Sequence, residues 1–231
     1  MTDELKMIEK NKTWELVNRP TYKPIIGVKT KLNLDGSIQK NKTRFHIATS
    51  FPWNGSNTTS SSIFVHQKKY ASTLLNKFGL TNCNPVLTPL VTNEKLSKED
   101  GNGATDEEMY RKVVGSLLYL TATRPDIMFT ASLLARFMHC PTKKHLGTAK
   151  RVLRYVKSTL DYGIEYIKGK QIVLVGYFDS DWSGFMDDMK STSGYAFSFG
   201  SGVFSWASVK QNCVALSTAE AEYISASEAT A

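Results

Sequence analysis

The residues best placed to do chemistry in this 231-residue chain are carboxylates of its last quarter. Asp179 and Asp181 stand two apart after the apolar run Ile172-Val173-Leu174-Val175-Gly176-Tyr177-Phe178. On a strand, residues two apart face the same side. Glu220 and Glu222 open a helical stretch further on. A strand carboxylate and one from an adjacent helix can share a Mg²⁺ ion, which prefers oxygen ligands. Two such ions about 4 Å apart can clamp the attacking and leaving oxygens of a phosphodiester. Ser217-Thr218-Ala219-Glu220 reads as a capping box, which gives Glu220 a local task. Asp181 reads equally well as a turn residue. Asp179 and Glu222 are therefore the candidate catalytic and metal-ligating pair.

A second candidate is cationic. Over residues 142–158, at 100° per residue, Leu146, Ala149, Val152, Leu153 and Val156 fall in one sector. Lys143, Lys144, Lys150, Arg151, Arg154 and Lys157 fall opposite, with no acid among them. Such a face is either solvated surface or a ridge that tracks nucleic-acid phosphates. The pattern alone leaves both open.

Other short matches carry less. Phe185-Met186-Asp187-Asp188 spells the aromatic-x-Asp-Asp turn of palm-domain polymerases, but its flanks read as a polar loop between strands. His66, His139 and His145 lack partners at metal or triad spacing, which points to structural roles. Cys83, Cys140 and Cys213 are odd in number and far apart, as reduced thiols would be. No Gly-rich phosphate loop or nucleophile elbow occurs.

The elements that must position these groups follow from periodicity. A helix is expected over 4–17. An Asp35-Gly36 turn between β-rich runs signals a hairpin. Residues 50–62 are rich in Ser, Asn, Thr and Gly and read as a linker. Apolar spacing then predicts helices from Gln67 to Gly79, over 108–122, from Pro125 to Met138 and over 142–158. After Gly169 the period becomes two, giving strands ending near Asp179, over Ser193–Phe199 and over Val203–Trp206, then a helix from Ser217. The tail thus reads β-β-β-α.

Composition bounds the rest. Hydrophobic residues make up 41% and charged residues 22%, which excludes disorder, collagen-like repeats and a disulfide scaffold. Residues 1–170 carry a net +13 and residues 171–231 a net −5, a basic body with an acidic tail. The first residues lack a signal-peptide core and no apolar run reaches membrane-spanning length, so the expected location is intracellular, cytoplasmic or nuclear.

A collinear series of segments resembles the Pol polyprotein of Ty1/copia-type LTR retrotransposons: QKKYASTLLNKFGL (67–80), YRKVVGSLLYLTATRPDIMFTASLLARFM (110–138), HLGTAKRVLRYVKSTLDYGIEY (145–166), GYFDSDWSG (176–184), KSTSGYAFSFG (190–200) and SWASVKQNCVALSTAEAEYISASEA (205–229). Residues 9–44 are similar to the opening of that family's reverse transcriptase. The resemblance implies an α+β chain in four parts. Residues 1–50 would be a fingers fragment and 51–62 a linker at a deletion joint. Residues 63–170 would be thumb- and connection-like helices, and 171–231 a partial ribonuclease H-like unit.

The same resemblance assigns Asp179 to the first ribonuclease H carboxylate and Glu222 to the second. It implies Mg²⁺ as cofactor and an RNA–DNA hybrid as partner, with neither a membrane nor a small-molecule substrate. The palm carboxylates expected between Arg44 and Ile63 are replaced by the short joint. The sequence ends at Ala231, ahead of the expected third and fourth ribonuclease H ligands. The expectation is a product without polymerase activity and with at most vestigial nuclease activity. The competing expectations are a non-catalytic nucleic-acid-binding module built on helix 142–158, and a chain whose open strand edge prevents stable folding.

Overall fold

The structure, a computed structural model, describes residues 28–32, 38–43 and 55–230. The chain divides into two units, residues 1–50 and 51–231. In the first, β1 (Val28–Leu32) pairs antiparallel with β2 (Ile38–Thr43), Val28 lying opposite Thr43. These are the arms of the hairpin expected around Asp35-Gly36. The turn itself, the expected helix over 4–17 and the joint over 44–54 lie outside the described residues.

The second unit mixes helices with two three-stranded antiparallel sheets. The first sheet has the order β3 (Gly55–Thr58), β4 (Ser62–His66), β5 (Gly163–Ile167). It corrects the expectation of a linker over 51–62 in the part that is described. Thr59 closes the turn between β3 and β4, its hydroxyl accepting from the amides of Ser61 (3.3 Å) and Ser62 (2.9 Å). A serine- and threonine-rich stretch can thus write a turn as readily as a linker. Gly163 is required where it stands, since a Cβ there would run into the Val65 carbonyl of β4.

Helices α1 (Lys68–Lys77), α2 (Glu107–Leu120), α3 (Met128–Ala135) and α4 (Lys143–Ser158) form the helical body. Asp106 caps α2 by accepting from the Met109 amide at 3.0 Å, and Glu107 and Glu108 complement the positive end of that helix. The stretch from Pro125 begins as a 3₁₀ turn, Pro125–Ile127, before α3 takes over. Tyr110, Val113, Val114, Leu117 and Leu120 of α2 meet Ala149, Val152, Leu153 and Val156 of α4 in one buried core. The apolar sector read from the sequence of α4 is the one that is buried.

The second sheet comprises β6 (Leu174–Asp181), β7 (Thr192–Phe199) and β8 (Val203–Lys210), in that order, followed by α5 (Thr218–Thr230). Opposed residues of an antiparallel pair share a face. Register puts Tyr177, Ala196 and Trp206 on one face, with Asp181, Thr192 and Lys210 further along it. This face meets the helical body. Trp206 Nε1 donates to the Thr121 carbonyl at 3.0 Å, and Arg136 Nη2 donates to Thr192 Oγ1 at 2.9 Å. The other face carries α5. There Gln211 Nε2 donates to Ser193 Oγ (3.0 Å) and to the Ala221 carbonyl (2.9 Å). The sheet is the middle layer between the helical body and α5.

The loop between β6 and β7 ties these layers further. Phe185 is buried in the helical core, its ring 5.7 Å from Phe137 and beneath the Arg136 guanidinium. Segments 63–170 and 171–230 therefore share a core.

Candidate functional site

Asp179 lies near the end of β6 in the row Asp179–Gly194–Ser208, on the face that meets the helical body. It lines a cleft of about 340 Å³ together with Pro125, Met128, Phe129, Trp206 and Ser208. Its Oδ1 accepts from the Ser180 amide at 2.9 Å, and the side chain is exposed. Glu222 is on α5, the helix packed on the opposite face of the sheet. The link between them is made by backbone: Ser225, one turn beyond Glu222, donates its hydroxyl to the Asp179 carbonyl at 2.8 Å.

The neighbouring acids hold structure. Asp181 accepts from the Thr192 amide through Oδ1. Glu220 accepts from the Leu216 amide at 2.7 Å while Ser217 Oγ accepts from the Glu220 amide at 3.2 Å. Half of the expected capping box is thus formed: Ser217 caps the Glu220 amide, but Glu220 reaches back to the Leu216 amide instead of that of Ser217. Asp187 accepts from the Lys98 amide at 3.0 Å. Asp188 accepts from Lys210 Nζ at 2.8 Å and from the Lys190 amide at 3.3 Å. Burial opposes its ionisation, yet these bonds and cations hold the Asp188 carboxyl below the usual range. The Phe185-Met186-Asp187-Asp188 stretch is a loop that pins itself to its neighbours.

Among the described residues no three His, Cys, Asp or Glu side chains come together as a metal-binding group. Asp181 is bound to the Thr192 amide, Asp188 to Lys210, and Glu222 is carried by the helix on the other face of the sheet, so the described side chains do not present the clustered carboxylates that a two-ion centre uses.

The cations of α4 have an occupation that sequence reasoning missed. Arg154 Nε donates to the Asn84 carbonyl (2.7 Å), Lys157 Nζ to the Cys83 carbonyl (2.6 Å) and Lys144 Nζ to the Lys95 carbonyl (3.2 Å). Arg151 Nη2 donates to Thr88 Oγ1 at 2.9 Å, and Ser158 Oγ to the Val86 carbonyl at 2.7 Å. Residues 83–95, a loop without helix or strand, are strapped across the polar side of α4. Lys143 and Lys150 remain exposed. A Pro- and Asn-containing loop offers free carbonyls, and that was the available signal.

His145 is fully buried and serves as a cap. Thr142 Oγ1 accepts from the His145 amide (3.4 Å), and His145 Nδ1 accepts from the Thr142 amide (3.0 Å). Its ring stacks on Phe137 with centroids 3.9 Å apart. Asp100, its side chain 4% exposed, accepts from Thr142 Oγ1 at 2.7 Å and sits 3.9 Å from His145 Nε2. Burial outweighs that carboxylate and holds the imidazole below its usual pKa.

The fold and site together define a layered α/β protein with a strand carboxylate and a helix carboxylate in series. No family model and no solved structure matches the chain. Curated proteins do. It is 43% identical over 161 residues to the Retrovirus-related Pol polyprotein from transposon RE1 of Arabidopsis thaliana, covering 70% of this chain and 11% of that protein. It is 42% identical over 183 residues to that of transposon TNT 1-94 of Nicotiana tabacum, covering 74% and 13%. An uncharacterized mitochondrial protein of Arabidopsis thaliana is 37% identical over 167 residues, 72% of this chain and 69% of that protein. The chain belongs to the copia-type retrotransposon Pol polyprotein family, and it spans about a tenth of the length of the Pol polyproteins it matches. No helix among the described residues is long and apolar enough to cross a membrane.

Proposed function

We propose that this chain is a nucleic-acid-handling remnant of a copia-type Pol polyprotein that neither polymerises nor cuts. In this reading residues 1–50 descend from reverse transcriptase fingers, 63–170 from thumb and connection helices, and 171–231 from the front of a ribonuclease H domain. The observation that carries it is the β6-β7-β8-α5 order with Asp179 on the leading strand and Glu222 on the helix, while Asp181 is bound to the Thr192 amide and Asp188 to Lys210. Asp179 and Glu222 are vestigial metal ligands: a Mg²⁺ ion would polarise a phosphodiester, but these two residues hold it weakly. Polymerase chemistry lacks its carboxylates in the joint before Ile63.

The test is incubation of the full chain with labelled RNA–DNA hybrid in Mg²⁺ or Mn²⁺. The hybrid stays intact. Cleavage that Asp179→Asn abolishes overturns the reading.

A second reading keeps only binding. Lys143 and Lys150 are exposed on α4 and can meet phosphates, whereas the other four cations must first release the 83–95 loop. Affinity for hybrid then falls with salt, with a shallower slope than six phosphate contacts would give.

A further inference from the structure

Arg151 holds the 83–95 loop differently from its neighbours on α4. Lys144, Arg154, Lys157 and Ser158 meet backbone carbonyls there, whereas Arg151 Nη2 donates to a side chain, the Thr88 hydroxyl, at 2.9 Å. Arg151 Nε is buried and, among the described residues, has no hydrogen-bond partner. The Nε–H and the adjacent Nη2–H of a guanidinium project side by side and match the paired oxygens of a carboxylate or phosphate. Arg124 uses this same pair of donors on both oxygens of Asp126, at 2.9 and 2.7 Å. At Arg151 a neutral hydroxyl fills one half of the fork and leaves a buried donor unsatisfied, which is costly.

The sequence around Thr88 offers a way to supply the second oxygen. Of the 7 prolines in the chain, Pro89 alone follows a Ser or Thr. Proline has no amide N–H, so a kinase pocket that offers no acceptor after the target residue selects it. A residue before proline also favours the extended backbone in which kinases take up their substrates. Thr88 is exposed, in a loop without helix or strand, and Leu87 beside it is 90% exposed. Helix α4 carries six Lys and Arg and no acid, and residues 83–95 bring a single acid, Glu94. Loop and helix together are short of negative charge.

We propose that Thr88 is a phosphorylation site for a proline-directed Ser/Thr kinase, and that Arg151 takes the phosphate in its two-donor fork. Thr88 Oγ1 attacks the γ-phosphorus of ATP, the bond from that phosphorus to the β–γ bridging oxygen breaks, and ADP leaves. The hydroxyl proton passes to the catalytic aspartate of the kinase. The product carries a charge of about −1.5 to −2 and three strong acceptor oxygens. One oxygen replaces the hydroxyl on Nη2 and a second satisfies Nε. The loop is then fastened more tightly across α4, whether or not the chain meets nucleic acid.

The test treats the full chain with ATP and, separately, a cyclin-dependent and a mitogen-activated kinase. Peptide mass spectrometry finds one phosphoryl group on Thr88, and Thr88→Val and Pro89→Ala lose it. Amide exchange over 83–95 slows by about tenfold in the phosphorylated chain. Phosphorus NMR reads the fork itself. A free phosphothreonine takes its second ionisation near pH ~6, and the guanidinium holds it lower here. Arg151→Gln returns it toward the free value. Arg151→Lys keeps the charge without the fork and retains only part of the shift, and it carries the measurement if the Gln variant does not fold. A folded chain that neither kinase modifies at Thr88, exchange over 83–95 that stays equal or quickens on phosphorylation, or a second ionisation unmoved by the Arg151 variants overturns the proposal.

Discussion

Arg154 Nε lies 2.7 Å from the carbonyl oxygen of Asn84, a side chain of the basic helix holding a loop seventy residues earlier in the chain. With Lys157 on Cys83 and Arg151 on Thr88, it converts a face that looked made for phosphates into a clasp. Arg154→Ala and Lys157→Ala should each cost about 1 kcal/mol, the worth of a partly exposed charged hydrogen bond. Lys150→Ala should stay within about 0.5 kcal/mol, as for an ordinary surface change. Urea denaturation measures both, and hydrogen exchange should show protection lost first over 83–95.

Arg124 anchors a dense ionic centre. It is buried, binds Asp126 through Nε and Nη2, and donates to the Thr159 carbonyl (3.0 Å) and hydroxyl (2.6 Å). Its guanidinium also lies over the rings of Tyr155 and Tyr162. Burial and the Asp126 carboxylate push the Tyr155 hydroxyl up to about 12. Arg124→Ala leaves Asp126 without its cation and the C-terminal end of α4 unbound. The expected loss is about 3–5 kcal/mol by chemical denaturation.

Acid should weaken the start of α4. His145 is held neutral because its Nδ1 must accept from the Thr142 amide, and its folded pKa lies below the ordinary value. The unfolded chain takes up a proton as pH falls below about 6.5, whereas the folded chain resists. Stability is therefore full above that pH and declines beneath it. Asp100 works in a lower window, since hydrogen bonds from Thr142 and Asn102 overcome its burial and hold its carboxyl below the usual range. Denaturation midpoints measured from pH 7 to 5 should fall for the wild type and stay flatter for His145→Asn.

Phe185 tests whether the sheet and the helical body unfold together. It sits in the loop of one and the core of the other. Phe185→Ala should cost about 3–5 kcal/mol and lower a single transition. Two separated transitions, of which one is unmoved, would show that the segments before and after residue 170 fold independently.

Much of this architecture is legible in sequence. The helices of 68–77, 107–120 and 143–158 and the β-β-β-α tail announce themselves by period and caps. What is hidden is non-local. Ser62–His66 pairs with Gly163–Ile167 about a hundred residues on, and no local pattern in SIFVH names GIEYI as its partner. The strap on α4 is hidden for the same reason, since a cation's partner can be a carbonyl anywhere. At the candidate site, parity shows that Asp179 and Asp181 share a face. It does not reveal that this face meets the helical body while α5, carrying Glu222, covers the other.

The central claim is that these carboxylates no longer assemble a two-ion centre, and Mn²⁺ titration followed by electron paramagnetic resonance and calorimetry tests it most directly. The predicted result is at most one weakly held ion per chain, lost in Asp179→Asn. Two tightly held, magnetically coupled ions that depend on both Asp179 and Glu222 would contradict it.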